Sequence, residues 1–355
     1  MAARRNQPDE RNPVPLMQLH PGTSFTNDVI VVDGMWGTGK SILSSLVGSL
    51  DRVEKKKIDH IFEYICIGRH LNLVTEDYAR TIVRIYADLD QYNNVIGREV
   101  NLRLGDDSGF RNTPGSWRYI KRMFGAEGDQ IVDTINSQNL AVQLVTHHVR
   151  GIAGPLHDAL GRRLFLLEVV RHPFYLINYW TRYLSDFGRS REFTLATDLS
   201  GERVPWFAVQ WSDEYRKSSV IDRAIKSIVH FLGPTLEATT VVEDDTTKKE
   251  LVVPFEQLVC NTHEELGRVS SFLRRSASSS TRSAFRKQGV PRLLSDEGRA
   301  SNVRSWLANP NMSVAEQLNQ IRSWVKHEAS SRNALVMDEL AERYEDCFSF
   351  NDLPQ

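Results

Sequence analysis

Cysteine, long apolar runs and net charge are all scarce in this chain. Its three cysteines, Cys66, Cys260 and Cys347, lie far apart and form no C-x-x-C pair, which leaves a disulfide framework or a thiolate zinc site without support. A reducing, cytoplasmic compartment is the simplest expectation. No apolar run approaches the roughly 18 residues of a membrane span, so no membrane association is expected. The opening MAARRNQPDERNPVP is basic but is followed by no apolar stretch of signal-peptide type. Forty-four basic residues stand against 45 acidic ones, a formal charge of −1. Such a balance supplies no global field for nucleic acid, and any anion site must be local.

What the sequence does contain is one sharply defined stretch, VIVVDGMWGTGKSIL, over residues 29–43. An apolar run reads as a buried strand, a glycine-rich turn follows, and SILSSLVGSL reads as a helix. Gly34, Gly39, Lys40 and Ser41 complete the pattern G-x-x-x-x-G-K-[ST], with Gly37 and Thr38 inside it. In that geometry successive backbone N–H groups converge at a helix N-terminus, where partial positive charge favours a phosphate or sulfate. Side chains in place of the glycines would block the approach. The loop alone admits ATP, GTP or 3′-phosphoadenylyl sulfate (PAPS).

The 355 residues suit one elaborated α/β domain with insertions. Residues 1–27 read as an irregular arm, 28–310 as the α/β domain and 311–355 as helices packing on it. Asp51 to Asp59, with Lys55, Lys56 and Lys57, reads as a charged connection with a solvated face. Helical spacing of Ala79, Ile82, Val83, Tyr86 and Leu89 predicts a helix over 75–93. Gly97 to Gly115 reads as a hairpin or excursion near a substrate mouth. Leu140–Val145 and Arg163–Val170 are continuous apolar strands separated by a crossover, as in a parallel sheet buried on both faces. Ligands of such sheets gather at the carboxyl ends of strands, where Asp33, the His147-His148 pair and Arg171 fall. Further helices are predicted over 175–187, 212–232, 262–273 and 314–344, and a hairpin or edge strand over 241–255. The serine-rich, basic stretch 274–304 reads as a mobile loop or lid.

Four stretches in this order, with a shorter fifth after them, resemble the sulfotransferase family, over roughly residues 28–292. GMWGTGKSIL is similar to the family's 5′-phosphosulfate loop, VTHHV to its Thr-His segment, and LLEVVRHPFYLINYW to the strand-Arg-x-Pro-helix element that holds the 3′-phosphate. VVPFEQLVCNTHEELGRVSSFL resembles its late strand, turn and helix, and FRKQGVPR the Arg-Lys-Gly loop that closes over the 3′-phosphate. The resemblance implies a central parallel sheet flanked by helices, P-loop NTPase-like, with PAPS as donor and PAP as product. It implies His147 as base, Lys40 as the cation on the leaving group, and Arg171, Arg286, Lys287 and Gly289 at the 3′-phosphate. Two departures stand out: Gly37 sits where the family keeps its loop lysine, and Tyr179, beside Asn178, replaces the expected serine.

By chemistry alone His148 is as legal a base as His147, although alternation along a strand lets one of the two face the site. Arg171 could also serve a salt bridge, with Glu168 or a helix acid. The leading expectation is a sulfotransferase acting on a small molecule or glycan, with no metal. A P-loop kinase using ATP and magnesium is the alternative, with Ser41 and Glu168 as candidate magnesium partners. A nucleotide-binding protein without catalysis is the third. Neither acceptor nor oligomeric state is written in the composition.

Overall fold

The computed structural model describes residues 19–22, 25–104, 109, 113, 115–189, 193–199, 201–240, 249–294 and 312–354. Five parallel strands form one sheet in the order β2-β3-β1-β4-β7, with β1 at its centre. They are β1 (Val29–Gly34), β2 (Val53–Ile58), β3 (Ala141–Val145), β4 (Leu164–Val170) and β7 (Glu250–Pro254). The sequence is therefore α/β with a parallel central sheet flanked by helices, as expected.

The reason is legible in the strands. All six residues of β1 are buried, and its side chains alternate between two cores. Ile30 and Val32 join Val145, Phe165, Leu167 and Val169 on one face, under helix α1 (Lys40–Val47). Val29 and Val31 join Val142, Leu144, Leu164 and Leu166 on the other, under α2 (His60–His70), α3 (Glu76–Val95) and α6 (Gly154–Leu160). Two covered faces need apolar side chains at every strand position, hence continuous runs rather than alternation.

Between α3 and β3 lie α4 (Trp117–Arg122) and α5 (Asp129–Gln138). A third core gathers the aromatic residues of α7 (Pro173–Ser185) and α9 (Val220–Thr240) with α13 (Val314–Glu328) and α14 (Ser331–Cys347). A small antiparallel pair, β5 (Ala196–Leu199) and β6 (Glu202–Pro205), and the short helix α8 (Ser212–Lys217) lie between α7 and α9. After β7 follow α10 (Phe255–Cys260), α11 (Thr262–Leu273) and α12 (Thr281–Gln288). No helix among the described residues is long and apolar enough to cross a membrane. The described cysteines are all free thiols.

Two expectations are corrected and two are narrowed. The charged connection 51–59 is the edge strand β2, paired in parallel with β3. Its lysines are not a solvated face: Lys55 is buried, its Nζ donating to Glu99 O, while Lys57 reaches Asp90 at 2.5 Å and Glu99 at 2.8 Å. Of the hairpin or excursion expected over 97–115, the described residues contain no strand, which leaves the excursion. Of the hairpin or edge strand expected over 241–255, the edge strand is found: β7 pairs in parallel with β4 at the sheet's edge, and residues 241–248 lie outside the described set. The basic stretch 274–304 contains the ordered helix α12, whose Thr281 and Ala284 are buried. Ser278 and Thr281 anchor it by donating to Ser49 O. Residues 295–304 of that expected lid lie outside the described set.

Of the arm, Leu19 and Phe25 donate their backbone N–H groups to Asp77 and Asp88 on α3. Residues 1–18 and 23–24 are outside the described set.

Candidate active site

Strand β1 delivers the glycine-rich loop to the carboxyl edge of the sheet, and α1 begins at Lys40. Two glycines are dictated by space. A Cβ on Gly34, where φ is +142°, would stand 2.4 Å from Val169 O on the neighbouring strand. One on Gly39, where φ is +91°, would stand 2.3 Å from the Phe255 ring. Thr38 fastens the turn by donating its hydroxyl to Met35 O at 2.8 Å. The backbone of α1's first turn is thus left open to an anion, with no acidic residue there to oppose one.

Lys40 is buried, and its Nζ donates to Gly34 O and Met35 O, both at 2.7 Å. Burial lowers its pKa to about 8, against the opposing fields of Asp33, Glu63 and Glu168. Two neutral carbonyls therefore hold an ammonium that no carboxylate contacts directly. A buried cation aimed along an anion-shaped loop fits a phosphate or sulfate group.

Strand β3 ends at Val145, and the three residues after it separate sharply. Thr146 donates to Asp33 Oδ1 at 2.9 Å. His147 turns to the loop, its ring 5.5 Å from that of Trp36, and its Nδ1 lies 2.8 Å from Glu63 Oε1. Burial, then the charge of Lys40, lower the His147 pKa, so its imidazole is neutral at pH 7. Burial would raise the Glu63 pKa, yet its bonds to His147 and His60 outweigh this and keep it a carboxylate. His60, at the start of α2, places Nδ1 3.2 Å from Glu63 Oε2.

His148 takes a left-handed backbone (φ +59°), and its side chain packs among Trp36, Trp180 and Phe231. Its ring stacks on Phe231 at 4.3 Å and stands edge-on to Trp36 at 4.4 Å, with neither nitrogen hydrogen-bonded. Burial drives its pKa far down, and it is a neutral member of the aromatic core.

At the end of β4, Arg171 Nη1 donates to Gly37 O at 2.9 Å, and its guanidinium lies 4.4 Å over the Phe255 ring. Its Nε is buried without a hydrogen-bond partner. The Tyr179 ring lies under the loop, near the space a Cβ on Gly37 would fill. Glu168, the carboxylate weighed for magnesium, is occupied otherwise. Thr235 donates to it at 2.9 Å and Arg150 pairs with it at 3.2 Å, while burial pushes its carboxyl up to about 7. Asp33 likewise accepts from the backbone N–H groups of Val149 and Arg150.

Arg286 and Lys287 are exposed near the end of α12, with Gly289 as its left-handed cap. Lys287 lines a cavity of about 230 Å³ with Ser45, Trp117, Ser280 and Ser283. Ser45 is about 6 Å, one helical turn, along α1 from Ser41.

The structure thus gathers Gly34, Gly37, Thr38, Gly39, Lys40, Arg171 and His147 about one loop, while Arg286 and Gly289 stay on α12. Sequence reasoning missed Glu63 and Arg150 as parts of this edge. The one signal for Glu63 was His60-x-x-Glu63, a spacing that puts both on one helix face.

No protein-family model and no curated protein sequence matches the chain. Among solved structures it is similar to the sulfotransferase domain of the Synechococcus PCC 7002 olefin synthase. That likeness covers 92% of this chain and 98% of that one at 13% identity and a TM-score of 0.40. Sulfotransferase STF9 of Mycobacterium avium (11% identity, 91% and 77% coverage, TM-score 0.37) is another. The sulfotransferase domain of the curacin biosynthetic pathway (12%, 86% and 100%, TM-score 0.37) is a third. Likenesses this distant carry no weight in assigning the chemistry.

Proposed function

We propose that the chain is a sulfotransferase that moves a sulfuryl group from PAPS to a hydroxyl or amine of a small molecule or glycan. The observation that carries this reading is the Glu63–His147 pair beside the loop that holds Lys40. A buried carboxylate orienting a neutral imidazole is a base assembly, set next to an anion nest. PAPS supplies an activated sulfuryl group on a phosphosulfate anhydride. Glu63 keeps the proton on His147 Nδ1, which leaves the Nε2 lone pair to accept the proton of the acceptor. Lys40 leaves its loop carbonyls to hold the donor anion and the charge that develops as the anhydride opens. In this reading the G-x-x-x-x-G-K-[ST] sequence is a variant 5′-phosphosulfate loop in which Lys40 replaces the lysine missing at Gly37. The unsatisfied Nε of Arg171 is the spare donor for a 3′-phosphate, and Lys287 beside Ser45 and Trp117 borders the space for the nucleoside. The free thiols accord with a cytoplasmic setting.

The kinase alternative is favoured by the full Lys40-Ser41 pattern. Among the described residues, the strand carboxylates that would serve magnesium are engaged: Glu168 accepts from Thr235 and Asp33 from the Val149 N–H, while β3 ends in Val145-Thr146. Calorimetric titration with PAP and ADP, with and without magnesium, tests the choice. PAP binding that is tight and indifferent to magnesium is expected. Binding of ADP with magnesium, in the absence of any PAP binding, would transfer the site to the kinase reading.

A further inference from the structure

His60, Glu63 and His147 bring two imidazoles and one carboxylate together, their donor atoms all within 4.8 Å of one another. Nothing in sulfuryl transfer calls for His60. The two imidazoles lie nearly parallel, 19° apart with centroids at 5.9 Å, and present Nδ1 to the two oxygens of the same carboxylate. A tetrahedral zinc ion with bonds of about 2.1 Å holds its ligand atoms about 3.4 Å apart. The observed contacts of 2.8 and 3.2 Å lie just below that span, and all three donor atoms fall within 4.8 Å of one another, so small side-chain shifts suffice. Two nitrogens and one oxygen suit zinc or a similar transition ion and not magnesium or calcium, which take oxygen ligands. Three protein ligands leave a fourth position for water. Glu63 and His147 are held by burial, whereas the His60 side chain is 41% exposed, which gives an ion a way in.

We propose that His60, Glu63 and His147 form a zinc-binding site whose occupation switches off the base. The inhibitory half rests on the function proposed above; the metal site itself does not. The switch follows from the tautomer. With Nδ1–H on Glu63, His147 offers its Nε2 lone pair. With a metal on Nδ1, the neutral ring carries its proton on Nε2 and has no lone pair left for the acceptor. Binding moves that proton from one ring nitrogen to the other, with no change in the charge of His147. Zinc and a proton-accepting His147 are therefore mutually exclusive.

The test uses the whole protein with Zn²⁺ alone, followed by calorimetry, and with Co²⁺ followed by its visible absorption. Saturable one-to-one binding is expected, with cobalt bands of tetrahedral intensity. His60→Ala should weaken it by about tenfold to a hundredfold or more, and His60→Asn should do the same with an unchanged melting temperature. Where turnover is measurable, the ratio of rates without and with zinc should fall towards one in His60→Ala. Absence of saturable binding would overturn the proposal. So would equal zinc affinity in wild type and both His60 variants, which would put the ion elsewhere. Zinc binding that depends on His60, in a protein inert towards PAPS and every acceptor, would uphold the metal site and remove the sulfotransferase reading instead.

Discussion

Two lysines near the same sheet have opposite surroundings. Lys57, on the edge strand β2, is clasped by Asp90, Glu99 and Asp59 at 2.5, 2.8 and 3.2 Å. Burial works against its charge, but the hydrogen bonds of Asp90 and Glu99 outweigh it and hold the ammonium well above its usual range. Lys40, just past the central strand, donates to two carbonyls and, among the described residues, pairs with no carboxylate, and burial pulls it down to about 8. The first lysine is satisfied and serves the fold. The second carries charge that the protein alone leaves under-compensated, as expected where a ligand completes the set.

The comparison breaks most visibly in turnover. Lys40→Met should lower sulfuryl transfer by about two to four decades and weaken PAP binding as well, while Lys57→Met leaves both nearly intact. Equal losses in steady-state kinetics would erase the distinction. His147→Ala should match the loss in turnover, by about two to four decades, but leave PAP affinity almost unchanged. A loss caused by His148→Ala in its place would move the base.

Next in size is the dependence on pH. An anion in the loop favours the charged form of Lys40, so its pKa rises on binding. PAP affinity should hold below pH 8 and fall by about tenfold per unit above it, until the raised pKa of the complex is passed. Calorimetry from pH 7 to about 9.5 reads this, and a flat profile would mean that Lys40 does not touch the ligand.

Smallest, and opposite in sign, are the effects on the unliganded fold. Lys57→Met strands the buried Asp90 and should cost about 2 kcal/mol in urea unfolding. Lys40→Met should instead raise stability at pH 7 by about 1 kcal/mol, since the fold holds that ammonium at a loss. The sign follows from proton binding: between about 8 and 10.5 the unfolded chain keeps the proton that the folded one releases. Stability of the wild type should therefore rise with pH across that window. A lower melting temperature for Lys40→Met would reverse the inference.

The same contrast explains what could be read from sequence. The loop, β1, β3, β4 and α11 rest on local pattern, and their residues announced them. Strand β2 did not, because Lys55 and Lys57 are compensated by Glu99 and Asp90, more than 30 residues away. Helix α12 was masked by its serine and arginine content; its inward side is made by Thr281 and Ala284, small residues with little apolar weight. At the site, Lys40 and the loop glycines are a contiguous signal, whereas Glu63 meets His147 across 84 residues. His147 and His148 look alike in the chain. A left-handed residue and an aromatic pocket built from Trp36, Trp180 and Phe231 tell them apart.

Phe255 has a consequence for how the molecule is made. It closes the space beside Gly39 and carries the guanidinium of Arg171, yet it follows β7, the last strand of the sheet along the chain. Closing so long a chain segment is slow relative to local helix formation. During synthesis the loop sequence emerges early and waits more than 200 residues for the ring that backs it. A fragment ending before β7 would contain every residue of G-x-x-x-x-G-K-S and lack the wall that shapes it, so anion affinity should arise late in folding, together with docking of the sheet's far edge.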